Sequence, residues 1–359
     1  GIMMRNACDS ITIKNNTIDI GTGYTTSLSA AITATNSTSS ATSYGNNANN
    51  ILIDSNTIRG GYYGIRMNGI SSSSYCTGNK ITNNILEDIY IYGLYNYYQD
   101  ELLIDNNDIS RPTRATISTF YGIHAYYATN AAISNNKIHN TGTGSYTTYA
   151  MYFGASTNTP GNESVIVNNA FYDIQTTGTL YAMYLLGTRD YVNVYHNTID
   201  HNTSGSGSTK RGIYMSGAPN NHDIKNNMIS IYGNGTGTKH GIYATTTSTS
   251  MTSDYNNIYK GNASTVNSHV GYWGGNQTTL ANWRTATLGD SNSISANPII
   301  VAPGYTPYSN VVDNLGTPLT SVTNDIDGAL RSTTAPDMGV VEFIPTGGDL
   351  SLLNGGLAQ

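Results

Sequence analysis

Two unrelated sequence markers repeat along this chain with one shared period, and that coincidence limits its possible folds more than any other feature. The first marker is an asparagine pair, or a close relative, set in an apolar alternation. It reads ITIKNNTIDI (Ile11–Ile20), ILIDSNTI (Ile51–Ile58), LLIDNNDI (Leu102–Ile109), AAISNNKI (Ala131–Ile138), VNVYHNTI (Val192–Ile199) and HDIKNNMI (His222–Ile229). Shorter relatives are ITNNIL, VIVNNAF and SDYNNIY. The second residues of the pairs are Asn16, Asn56, Asn84, Asn107, Asn136, Asn169, Asn197, Asn227 and Asn257, with gaps of 40, 28, 23, 29, 33, 28, 30 and 30. The second marker is a small residue, an aliphatic one and usually a tyrosine. It runs from Gly1-Ile2-Met3 through Gly122-Ile123-His124 to Gly241-Ile242-Tyr243, with gaps of 28 to 33, and a degraded copy follows at Val270-Gly271-Tyr272.

A period of about 30 residues, made of short alternating runs and Gly/Ser/Thr/Asn turns, indicates short strands and no helix-length pattern. One such unit cannot bury its apolar face alone, so each must stack on the next. Asparagine is a poor strand former, but it tolerates the left-handed backbone of a sharp bend. Stacked in register, its amide can bond to the copies above and below, as in cross-β ladders. The nine asparagines are therefore assigned as corner posts.

The repeats resemble those of right-handed parallel β-helix proteins over roughly Gly1 to Trp273. That resemblance implies an all-β, right-handed parallel β-helix of about nine to ten coils. It is silent on activity, since lyases, glycosidases, tailspikes and adhesins share the scaffold. The domains expected are repeats over 1–276, starting mid-coil with further coils upstream, a β-rich cap over 277–345 that closes the last coil, and a linker over 346–359. Asp325, Asp327, Gly328, Arg331, Pro336, Asp337, Gly339 and Glu342 form a D-x-DG-x-x-R … PD-x-G-x-x-E pattern. It resembles the end segment of secreted β-helix proteins of Bacteroidota, which precedes a sorting or anchor domain. Met338 and Val341 depart mildly from that pattern. Asp325 and Asp327 also hint at a calcium loop, the one cofactor considered, although the full loop spacing is missing and Asp-Gly is a common turn.

Charged residues are only 11% of the chain, there are 29 Tyr against 4 Phe, and the net charge is −6. This composition suits a secreted or cell-surface protein that meets extracellular polysaccharide or cell-surface glycan. It carries no basic cluster for nucleic acid, no apolar run long enough for a membrane span and no signal peptide at its start. Cys8 and Cys76 fall in one column two coils apart, about 10 Å along the axis. That is too far for a disulfide, so two free, mostly buried thiols are expected.

If the aliphatic residue of the second marker points inward, the next points to solvent. That column reads Met3, Thr33, Arg66, Tyr95, His124, Tyr152, Tyr184, Tyr214, Tyr243, Tyr272. Arg66, Tyr95, His124, Tyr152, Tyr184, Tyr214 and Tyr243 are the glycan-binding candidates, because sugar faces stack on flat rings and sugar hydroxyls find partners there. Stacking that merely stabilises the sheet is the competing reading. Catalytic residues stay unassigned. A second column, Asp19, Arg59, Glu87, Ser110, His139, Tyr172, Asp200, Ser230, has no acids on adjacent coils. Glu87-Asp88 and Asp100-Glu101 are sequence neighbours that point to opposite faces, unlike the opposed carboxylates of glycoside hydrolysis. Asp190, His196, Asp200 and His201 make the densest titratable cluster. Three functions therefore stand: a non-catalytic adhesion or glycan-binding solenoid first, a polysaccharide lyase or glycoside hydrolase second, a structural stalk or fibre subunit third.

Overall fold

A computed structural model describes every residue except 7, 46–47, 72, 155–157, 187–190, 204–205, 262–266, 301–302 and 346–359. The expected linker tail therefore lies outside the described residues. Among the described residues the repeats wind into a parallel β-solenoid of three sheets, two of nine strands and one of twelve, in which the repeat strands pair with their counterparts one coil away. The largest sheet runs from Ile2–Met4 to Ser268–Trp273 and is closed by an antiparallel strand, Asn276–Gln277.

Register follows the aliphatic pattern. Ile32, Ile65, Leu94, Ile123, Met151, Met183, Ile213 and Ile242 pair coil to coil in the large sheet and are fully buried. Parallel files built on Ile53 and Ile58 line the other two walls. Burying such a side chain is worth about 1.5–3 kcal/mol before ordering costs. Slipping one residue would turn every member of a file to solvent.

The corners divide two tasks between the paired residues. The first member bends the chain: Asn15, Ser55, Asn83, Asn106, Asn135, Asn168, His196, Asn226 and Tyr255 all have φ between 51° and 58°. The second member builds the ladder. From Asn16 to Asn227, each rung donates both its side-chain Nδ2 (2.9–3.0 Å) and its backbone N–H (2.9–3.1 Å) to the Oδ1 of the next rung. The last rung is Asn256, not Asn257 as expected. In YNNI the bend falls on Tyr255, so Asn257 moves into the strand opposite Met228 and bonds Ala296.

The segment after Gln277 carries less regular β-structure than expected, and it reaches beyond the last coil. One helix, α1 (Leu280–Thr287), lies across the end of the solenoid. Its Trp283 is fully buried, and its indole donates to Asp290 at 2.7 Å. The degraded marker makes room for it: Gly271 occupies the file position of Ile242, and a Cβ there would meet the Trp283 ring at 2.3 Å. Ser293 Oγ accepts from the Asn256 backbone N–H at 2.8 Å, taking the place of the next rung. Among the described residues no helix is long and apolar enough to cross a membrane.

The chain then returns along the flank of the solenoid as a clasp. Asp325 accepts from the backbone N–H groups of Asp327, Ala329 and Glu342, and Glu342 accepts from those of Ser332 and Asp337. The clasp grips three successive bend residues. Arg331, only 6% exposed, donates to Asn168 at 2.8 Å, the Gly339 carbonyl lies 3.3 Å from His196 Nδ1, and Asn226 bonds Thr317 through both ends of its amide. Gly339 has φ +95°, and a Cβ there would strike Thr198 and Met228. Arg331 also pairs with Glu342 at 3.5 Å.

Candidate functional site

The expected tyrosine column is aligned. Arg66, Tyr95, His124, Tyr152, Tyr184, Tyr214, Tyr243 and Tyr272 pair in sequence along the large sheet. The five tyrosines from Tyr95 to Tyr243 are half-buried. Tyr95, His124, Tyr152 and Tyr184 stack at 4.7–4.9 Å, within 8–11° of parallel.

Two members of the column do not face a ligand. Arg66 is 2% exposed, because the residues that lengthen the first period to 40 fold over it. Its guanidinium donates to the carbonyls of Ala41 and Thr42 at 2.7 and 2.8 Å. His124 is 8% exposed, a spacer ring between Tyr95 and Tyr152, and burial pulls its pKa down to about 3.

A second column runs beside the first: Tyr63, Tyr92, Tyr121, Tyr149, Tyr181, Arg211, His240 and His269. Its tyrosines stack at 4.6–5.2 Å within 4–17° of parallel. Sequence reading missed it although the signal was present, since the residue before the small one in the marker is tyrosine in five consecutive coils. The columns meet edge to face, with Tyr92–Tyr95, Tyr149–Tyr152 and Tyr181–Tyr184 at 76–78°.

The rings therefore form a herringbone. Parallel rings this close are offset-stacked and not coplanar, so each covers much of its neighbour's face. The surface shown to solvent is one of tilted ring edges and hydroxyls rather than the flat platform expected. Burial holds the Tyr152 and Tyr184 hydroxyls above the usual phenol range, so they stay protonated and can both donate and accept. No acidic residue occupies either column.

The titratable cluster foreseen around Asp200 does not assemble. His196 sits under the clasp, its Nε2 accepting from Asn226 at 2.9 Å. His201 pairs with Ile231 and is 3% exposed, while its neighbour Asp200 faces the other way beside Ser230. Burial pushes Asp200 up to about 7 and His201 down to about 3. Asp190 lies outside the described residues.

The two aspartates considered for calcium have other partners. Both Asp325 oxygens accept backbone N–H groups, and Asp327 turns to Tyr305 (3.1 Å) and Lys137 (3.6 Å). Among the described residues no three His, Cys, Asp or Glu side chains gather to hold a metal. Cys8 and Cys76 are not joined by a disulfide, and Cys76 is buried and Cys8 partly so.

A family model of the right handed beta helix region matches residues 64–262, more than half of the chain. The chain belongs to the right-handed β-helix family. No curated protein and no solved structure matches it. The β-helix assignment thus fixes the scaffold and leaves the activity to the side chains displayed on it.

Proposed function

We propose that this β-helix is a secreted or surface-held, non-catalytic protein that binds an extracellular polysaccharide or cell-surface glycan along its tyrosine face. The observation that carries the reading is the two-column array itself: half-buried phenols repeat once per coil along the solenoid, with no carboxylate at any position of either column. A linear sugar chain laid parallel to the axis would meet a phenol hydroxyl at every coil, about 4.8 Å apart. The tilted edges supply apolar contact and hydroxyls together. The low charge of the chain supports an extracellular setting.

Replacing Tyr152, Tyr184 and Tyr214 together by Phe keeps the stacked rings and removes only hydroxyls. Each lost sugar hydrogen bond is worth about 0.5–1.5 kcal/mol, so binding to immobilised polysaccharide is expected to weaken about tenfold or more, with an unchanged melting temperature. Unaltered binding would overturn the reading. The mutual covering of ring faces favours a second reading, a structural stalk; it predicts no affinity for any polysaccharide and a large loss of stability when the same tyrosines become Ala. Cleavage of a sugar chain by the wild-type protein would instead favour a lyase or glycoside hydrolase.

A further inference from the structure

The tyrosine face changes character at Arg211. The guanidinium replaces a ring in the second column, lying 3.9 Å from the Tyr243 centroid, 4.6 Å from Tyr214 and 5.6 Å from Tyr181. The regular stack loosens around it, with Tyr184 and Tyr214 at 49° and Tyr214 and Tyr243 at 35°.

Most other arginines among the described residues reach protein acceptors, although Arg66, Arg111 and Arg331 each also bury a guanidinium nitrogen that has none. Arg59 and Arg331 reach carboxylates; Arg66, Arg111, Arg114 and Arg284 donate to backbone carbonyls. Arg211 makes neither kind of contact among the described residues. Its Nε is buried with no acceptor, and the residue as a whole is half-buried. A buried donor without an acceptor is costly, and such a group calls for an explanation. Stacking on the tyrosines fixes the position and plane of the fork but supplies no acceptor. A pre-positioned guanidinium fork matches the two oxygens of a carboxylate or sulfate. The neighbours along the column, His240 and His269, add no negative charge.

We propose that Arg211 is an anion subsite on the tyrosine face, and that the glycan bound there is acidic, carrying a carboxylate or a sulfate that the guanidinium receives. This deepens the glycan-binding reading and rests on it. Tyr181, Tyr214 and Tyr243 hold the guanidinium in place, and the phenols of the preceding coils contact the neighbouring sugars.

The test compares binding of a polyuronate, a sulfated polysaccharide and a neutral polysaccharide of equal length to the wild-type protein, Arg211→Gln and Arg211→Lys, with the fold of each variant checked by circular dichroism. The wild type is expected to bind one of the two anionic chains at least tenfold more tightly than the neutral one, and whichever it is distinguishes carboxylate from sulfate. Arg211→Gln should abolish that preference. Arg211→Lys should retain part of it, since the charge remains but the fork is lost. Equal affinity of the wild type for neutral and anionic chains, or a preference that survives Arg211→Gln, overturns the subsite alone. Binding of no polysaccharide overturns the glycan reading and the subsite with it.

Discussion

At the residue scale, the paired asparagines act through different physics and should respond differently to substitution. Asn107 is 1% exposed, and its Oδ1 accepts both donors of Asn84. Asn107→Ala strands the buried Asn84 backbone N–H and removes the bonds that Asn107 Nδ2 makes to Ile81, Asp105 and Asn136. With about 1–3 kcal/mol for the stranded donor and about 0.5–1.5 kcal/mol for each lost bond, a loss of roughly 2–5 kcal/mol is expected in denaturant unfolding. Asn106 holds φ 52°, and Asn106→Ala should cost only about 1–2 kcal/mol, the left-handed penalty. Equal losses would contradict this division. His124 provides a pH test. Burial holds its folded pKa near 3, below the ordinary 6.5, so the unfolded chain binds more protons below pH 6.5 and stability is lost as pH falls from 6.5 towards 3. By pH 5 its share is about 2 kcal/mol. His124→Tyr, which restores the residue type of the flanking coils, should lose less melting temperature between pH 7.5 and pH 5 than the wild type.

At the element scale, coils contact only their neighbours, so damage should stay local. Removing the fully buried Trp283 ring, Trp283→Ala, is expected to cost about 3–5 kcal/mol. The effect should appear as faster hydrogen exchange in Thr252–Asp254 and Asn257–Tyr259, with the coils of Asn56 and Asn84 unchanged. The parts of the fold legible in sequence were those set by period and alternation: coil stacking, the inward files and the tyrosine column. Period alone misplaced the last rung, because YNNI and NNMI differ only in which residue takes the bend. The cap was less legible since its order comes from side chains reaching distant coils, such as Arg331 to Asn168. Arg66 and His124 looked exposed because alternation gives a residue's face but not what covers it.

At the scale of the whole molecule, the solenoid is a ruler whose long face repeats phenol edges over consecutive coils and carries at Arg211 a guanidinium with no protein acceptor. Its column positions hold no acid, and the clasp closes on a different corner, gripping Asn168, His196 and Asn226. The glycan account therefore places contact on one face, over consecutive coils. Hydroxyl-radical footprinting read by mass spectrometry, with and without a bound polysaccharide, tests this most directly. The account predicts protection of Tyr121, Tyr152, Tyr184 and Tyr214, while Tyr24 and Tyr308, which are exposed and belong to neither column, react as before. Protection of Tyr24 or Tyr308 with the column tyrosines unchanged, or no protection at saturating polysaccharide, would contradict it.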